Sequence, residues 1–148
     1  MARHKHFKDT DQVLKDQIDY WIDYIQDDLG TLTDIERVKM NVRQLREAGI
    51  LKYFTIDNSG VFAYIITDDF LGGKCLSEII FYIRPEKRGS IRLVCKYLKI
   101  VEDIAFDKNC SCVKIGSNIG YKDSKFINFL KRYGYVDDTV AKYIKRSK

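Results

Sequence analysis

An almost continuously apolar segment near the middle of the chain constrains the fold more than any other feature. Residues 76–83 are apolar except for Ser77 and Glu78, and a short run of this kind predicts a strand that is buried on both faces. A short charged loop follows Pro85. Beyond Ser90 comes a long amphipathic helix, whose apolar face carries Leu93, Val94, Tyr97, Leu98, Val101, Ile104 and Ala105. We therefore expect a central strand that leads through a tight loop into a helix.

Further elements are predicted on both sides of this unit. Apolar residues at helical spacing indicate a helix that stops at Gly30, and a capping box of Thr33, Asp34, Ile35 and Glu36 begins a second helix that ends at Gly49. A turn-forming cluster at 57–60 joins two β-branched segments in a predicted hairpin. The other predicted elements are a helix at 123–133 and strands at 3–7, 112–115 and 135–144.

The order of these elements predicts the fold class. A helix between two consecutive strands implies a crossover with parallel pairing, which here stands beside an antiparallel hairpin. We expect an α+β fold with a mixed, mostly antiparallel β-sheet and helices on both faces. The 148 residues are the usual length of one domain, so residues 1–148 are predicted to form a single unit.

Composition excludes several classes of protein. No apolar run approaches the roughly 20 residues that cross a bilayer, so we expect a soluble, non-secreted protein. The cysteines at 75, 95, 110 and 112 form no obvious framework; we expect reduced thiols and a cytoplasmic protein. One C-x-C and one distant H-x-H fall short of a four-ligand zinc site, so no metal is expected. The net charge of +5 suits a polyanionic ligand.

The loop after the central strand is a candidate anion site. Unpaired amides and the positive end of the dipole meet at the first turn of a helix. Gly89 permits close approach of a phosphate to the backbone, Ser90 offers a hydroxyl, and Arg88 and Arg92 add positive charge. The same residues would also suit an ordinary strand-to-helix connection with solvated arginines.

Two segments of the chain resemble the GNAT N-acetyltransferase family. Residues 78–89, EIIFYIRPEKRG, are similar to its fourth strand and the start of its pyrophosphate loop, and residues 126–135, FINFLKRYGY, are similar to its closing helix. The resemblance implies that acetyl-CoA, or another acyl-CoA, lies in a V-shaped opening between 76–84 and 112–117. It also implies the contacting residues: backbone groups of Tyr82 and Ile83 for the pantetheine arm, amides of Arg88, Gly89, Ser90, Ile91 and Arg92 for the pyrophosphate, and Asn118 as a polar contact.

The resemblance implies direct attack of an amine on the thioester. Glu78 stands where some family members place the carboxylate that takes the amine's proton, although it would equally suit a solvated, salt-bridged position. Asp27, Asp28, Asp68 and Asp69 would border the acceptor side, where they could attract a cation or merely be solvated.

The chain departs from the family pattern in the loop and in the closing helix. In the loop pattern Q/R-x-x-G-x-G/A, Glu86 occupies the leading position and Ile91 the second small position, which predicts a crowded loop and weak CoA binding. Leu130 stands where the family commonly has a proton-donating tyrosine. Tyr133 lies three residues further on the same side of the helix and is the substitute we predict, although a tyrosine at such a position more often belongs to the core. Tyr121 and Tyr135 are further candidates.

The predicted function is transfer of an acetyl group to a protein lysine, an N-terminal amine or a small amine. The alternative is a catalytically inactive GNAT-fold binding, regulatory or structural protein, of phage type. Nucleic acid is not expected as a partner, since no recognised motif accompanies the basic and aromatic residues near the end of the chain. No membrane partner is expected, and the oligomeric state, a dimer included, is open.

Overall fold

A computed structural model describes residues 17–68, 72–116, 119–120 and 124–136. The predicted strand at 3–7, Asn118, Tyr121 and most of the predicted strand at 135–144 lie outside these residues. The elements are α1 (Gln17–Leu29), α2 (Ile35–Glu47), β1 (Leu51–Phe54), β2 (Gly60–Asp68), β3 (Lys74–Ile83), a 3₁₀ turn (Pro85–Lys87), α3 (Ile91–Asp107), β4 (Cys112–Lys114), β5 (Ile119–Gly120) and α4 (Ser124–Tyr133). Among the described helices, none has the length and apolar character needed to cross a membrane.

One mixed sheet organises the described part of the chain. Its order is β1-β2-β3-β4, and β5 also pairs with β3. The pairs β1–β2 and β2–β3 are antiparallel, whereas β4 and β5 run parallel to β3. Asp57 and Asn58 have φ of 48° and 56° in the turn between β1 and β2, a conformation that short polar side chains tolerate. The predicted hairpin, central strand and parallel crossover are therefore confirmed.

Helices cover both faces of the sheet. On one face, α1 and α2 pack against β1–β3 through Trp21, Ile22, Ile25, Val42, Val61, Ile80 and Tyr82. On the other face, α3 and α4 pack through Phe62, Phe81, Tyr97, Leu98, Val101 and Leu130. Because β3 contributes to both clusters, its almost uninterrupted apolar sequence follows from burial on two sides. The α+β fold class is confirmed.

The start of α2 differs from the predicted capping box. Asp34, not Thr33, is the N-cap, and its carboxylate accepts a hydrogen bond of 3.1 Å from the amide of Arg37. This shift by one residue moves Glu36 to the second helical position, where it is not the box partner of Thr33. At the other end, Gly49 has a φ of 76° and the amide of Ile50 donates to Leu45, as in a Schellman motif.

A disulfide corrects the expectation that all the cysteines are reduced. Cys75 of β3 and Cys112 of β4 are register partners on parallel strands, with a Cα–Cα distance of 4.9 Å, and they are bonded to each other. Cys95 and Cys110 are free. The two bonded residues are 37 positions apart in sequence, so only the strand register reveals that they meet. The cytoplasmic location stays a prediction, without support from the cysteines.

Candidate functional site

The connection from β3 to α3 exposes backbone amides at the start of a long helix. Gly89 turns the chain with a φ of 88°, and nothing lies within 4 Å of the position that a Cβ would take there. Ser90 is the N-cap of α3, and its hydroxyl oxygen accepts from the amide of Leu93 at 3.2 Å. The amides of Ile91 and Arg92 precede the first possible intrahelical bond and have no helical partner. This loop can therefore accept an anion on its backbone.

Arg88 is turned back from the loop onto β3 and α1. Its Nε donates to the carbonyl oxygen of Ile83 at 2.9 Å, and its Nη2 donates to Oδ2 of Asp28 at 2.6 Å. The guanidinium group also lies over the ring of Tyr82, 5.1 Å from its centroid. The Arg88 side chain is thus already bonded within the protein. It differs in this from an exposed cation that is available to a phosphate.

Asp28 is shared by two donors. Its Oδ2 also accepts a hydrogen bond of 2.7 Å from the hydroxyl of the buried Tyr82. These hydrogen bonds, first from Tyr82 and then from Arg88, hold the pKa of Asp28 below its ordinary value. Burial, and then the bond to Asp28, raises the pKa of Tyr82. At neutral pH the carboxylate is ionised and the phenol keeps its proton.

The backbone groups of Tyr82 and Ile83 face opposite sides of β3. The amide of Arg84 donates to Ser59 at 2.9 Å on the β2 side, and strand groups alternate in direction. The groups of Tyr82 therefore also face β2, where Val61 is the register partner. Those of Ile83 face the side of β4 and β5. Of the two residues predicted to hold the pantetheine arm, Ile83 alone directs its backbone to that side.

The pairing of β3 with its parallel neighbours is interrupted where the V-shaped opening is predicted. Ser77 pairs with Lys114, and pairing then resumes between Ile80 and Ile119 and continues between Phe81 and Gly120. From one pair to the next, the sequence number thus advances by three along β3 and by five from β4 to β5. Among the described residues, the pairing on this side of β3 is therefore interrupted between Ser77 and Ile80.

Glu78 lies at the interruption in this pairing. Only 2% of the residue is exposed, and Oε1 accepts a hydrogen bond of 3.1 Å from the amide of Gly116. A bulge adjoins it, because Ala63 pairs with Ile80 while Tyr64 pairs with Glu78. The buried position differs from that of a glutamate on the solvated face of the sheet, which the sequence left open.

Tyr133 lies in an aromatic cluster between α3 and α4. Its ring centroid is 5.7 Å from that of Phe129 and 6.1 Å from that of Tyr135. Burial raises the pKa of Tyr133, and its hydroxyl has no hydrogen-bond partner within the described ranges. Tyr135, in contrast, donates to Oε2 of Glu102 at 2.9 Å. Of these two tyrosines, Tyr135 is therefore the one whose hydroxyl is committed to a partner within the protein.

The remaining predicted contacts lie at the loop surface. Ile91 is 61% exposed, and Arg92 is also exposed. The contact between Asp28 and Arg88 is the feature that sequence reasoning missed. One signal for it exists, because Asp28 follows Trp21 and Ile25 at helical spacing, on the inward side of α1.

Comparison with solved structures relates the fold of this chain to that of acetyltransferases. No protein-family model and no curated protein matches the chain. A predicted acetyltransferase with acetyl-CoA from Clostridium acetobutylicum has a TM-score of 0.67 at 12% identity, over 87% of this chain and 90% of that chain. A ribosomal-protein-alanine N-acetyltransferase from Brucella melitensis has a TM-score of 0.63 at 12% identity, over 90% and 94%. A GNAT family acetyltransferase from Staphylococcus aureus has a TM-score of 0.57 at 18% identity, over 82% and 83%. At these identities the likeness is one of fold.

Proposed function

Because this chain has the fold of the GNAT acetyltransferases, we propose that it is an N-acetyltransferase that uses acetyl-CoA. The observation that carries the proposal is the loop at the start of α3, where Gly89 is open and the amides of Ile91 and Arg92 have no helical partner. The acceptor is an amine of a protein lysine, an N-terminus or a small molecule.

The described residues fit the parts of acyl-CoA. The amides from Gly89 to Arg92 suit the pyrophosphate, and the Ser90 hydroxyl can still donate its proton while its oxygen accepts from Leu93. The amide of Ile83 suits the pantetheine arm, since it faces the side of β4 and β5, two residues beyond the described pair of Phe81 and Gly120. Ile91, whose exposed side chain adjoins these amides, is the residue on which the prediction of weak binding rests.

The proposed chemistry assigns one proton transfer to each catalytic side chain. Acetyl-CoA supplies the acetyl group as a reactive thioester. Glu78 takes the proton of the attacking amine, directly or through a water, while the amide of Gly116 fixes the orientation of its carboxylate. Tyr133 gives a proton to the departing sulfur. Its phenol has this proton available because its raised pKa keeps the group protonated at neutral pH. A C–N bond forms and a C–S bond breaks.

Product analysis tests the activity. The protein is incubated with isotopically labelled acetyl-CoA and, in turn, a lysine peptide, a peptide with a free N-terminus and a polyamine, and acetylated product is measured by mass spectrometry. We expect label in at least one acceptor. Tight CoA binding by calorimetry without transfer would support the inactive binding protein instead. Absence of CoA binding would refute the use of acetyl-CoA altogether.

Glu78→Gln tests the assignment of the base. Glutamine keeps an oxygen that can accept from Gly116 but cannot take a proton, so we expect kcat to fall by about 100-fold or more, with acetyl-CoA binding retained. The exposed Glu47 provides a control, since Glu47→Gln should leave kcat unchanged. An unchanged kcat in Glu78→Gln, measured over pH, would remove the carboxylate from the mechanism.

A further inference from the structure

We propose that Asp28 is a positioning residue for acyl-CoA: through Arg88 it holds the loop before α3 in the form that receives the pyrophosphate. The inference rests on the proposed function. It assigns a role to the end of α1, an element that contributes no amide to the loop itself.

The contacts of Asp28 connect three separate elements. Its Oδ2 accepts from Arg88 Nη2 at 2.6 Å and from the Tyr82 hydroxyl at 2.7 Å, and so joins α1 to the loop and to β3. The side chains of Asp28 and Arg88 are 25% and 24% exposed, so solvent shields this ion pair only in part. Charge-assisted bonds in such a setting are stronger than those of a fully exposed pair.

Arg88 transmits this restraint to the loop. Its guanidinium group is held at two further places, by the bond from Nε to the Ile83 carbonyl and by the ring of Tyr82. The residue that follows it is Gly89, whose φ of 88° sets the direction in which the chain enters α3. Glycine resists such movement less than any other residue, so the fixed arginine limits the freedom of the turn.

The end of α1 is itself a fixed point. The helix is buried through Trp21, Ile22 and Ile25. The side chain of Gln26 accepts from the amide of Leu32 at 2.9 Å and donates to its carbonyl at 3.2 Å, which ties the following segment to the helix. Asp28 therefore projects from a restrained helix end, and Arg88 is held by something that does not itself move freely.

These contacts indicate that Asp28 preorganises the loop and does not compete with a phosphate for the Arg88 side chain. A phosphate that recruited the Arg88 side chain would have to replace the bonds to Asp28 and Ile83, whereas a phosphate on the loop amides leaves both intact. A loop already held in its binding form loses less conformational entropy when the ligand binds. Asp28 therefore increases the affinity for acyl-CoA and takes no part in the chemical step.

Asp28→Asn tests the assignment, with Asp27→Asn as the matched control on the neighbouring, exposed position. Acetyl-CoA binding is measured by calorimetry, and kcat and the KM of each substrate are measured with the acceptor found for the wild type. We expect about tenfold weaker binding and a correspondingly higher KM for acetyl-CoA. We expect kcat and the KM of the amine to stay unchanged. Asp28→Glu should recover part of the affinity, and Asp27→Asn should bind as the wild type does.

A second variant separates positioning from a direct phosphate contact. Arg88→Lys keeps the positive charge but loses the fixed fork that reaches Ile83 and Asp28 together, so we expect a loss comparable to that of Asp28→Asn. This variant also serves if Asp28→Asn does not fold. Equal or tighter binding by a folded Asp28→Asn, with normal wild-type binding, would overturn this inference alone. A wild type that does not bind acetyl-CoA would overturn both proposals.

Discussion

At the scale of single residues, Gly89 has the most direct link between conformation and proposed activity. Its φ of 88° is unfavourable for a side chain, and nothing within 4 Å would meet a Cβ there. We therefore expect Gly89→Ala to lower the free energy of unfolding by about 1–2 kcal/mol, through backbone strain alone. Urea denaturation measures the change, and calorimetry should find weaker acetyl-CoA binding because the turn relaxes toward another conformation.

Gly116 offers a matched control for this variant. A Cβ at Gly116 also meets nothing within 4 Å, but its φ is not positive, and alanine keeps the amide that donates to Glu78. Gly116→Ala should leave the free energy of unfolding nearly unchanged. Equal effects of the two substitutions would argue that backbone conformation at Gly89 is not the cause.

At the scale of elements, two neighbouring candidates for the N-cap of α2 differ in their expected contribution to stability. Asp34 accepts from the amide of Arg37, so Asp34→Ala should lower the free energy of unfolding by about 1 kcal/mol. Thr33→Ala should change it by less than about 0.5 kcal/mol, as is usual away from special features. Urea denaturation of both variants decides the point, and the reverse order of effects would restore the capping box predicted from sequence.

The same turn explains why element boundaries are harder to predict than elements. Thr33 and Asp34 are both good N-cap residues, and the local sequence satisfies a capping box at the first of them. The inward side of α2 carries Ile35, Val38, Val42 and Leu45, which pack with α1 and β1. A helix is readily predicted from that spacing, but which cap it uses depends on the conformation at its first turn, where Asp34 is extended with a φ of −138°.

At the scale of the whole molecule, the disulfide restrains the unfolded chain. Cys75 and Cys112 close a loop with a sequence separation of 37, for which the chain-entropy model gives about 4 kcal/mol of stabilisation. We expect a reducing agent to lower the free energy of unfolding by up to about this amount, measured by urea denaturation with and without reductant.

A variant that lacks the other described thiols controls this experiment. Cys95→Ser combined with Cys110→Ser leaves the bonded pair in place, so reductant should have the same effect on it as on the wild type. Cys75→Ser combined with Cys112→Ser should unfold alike with and without reductant. Loss of the reductant effect in the first variant would mean that a different pair of cysteines is linked.

The predictions from sequence succeeded where neighbouring residues carry the signal. The alternation and composition around the turn at Asp57 and Asn58 predicted the hairpin, and the apolar run at 76–83 predicted the central strand β3. The loop at Gly89 was also predicted, since a positive φ favours glycine and helix starts favour a residue such as Ser90. Each of these features depends on conformational preferences within a few residues.

Periodicity, turn residues and caps act locally, so the sequence was enough to predict most of the described elements, the fold class and the position of the loop. Tertiary structure alone decided the bond between Cys75 and Cys112, the return of pairing at Ile119, and the commitment of Arg88 to Asp28. These features join residues that are far apart in the chain. Strand register and helix packing bring them together, and no local pattern records which distant partner each side chain meets.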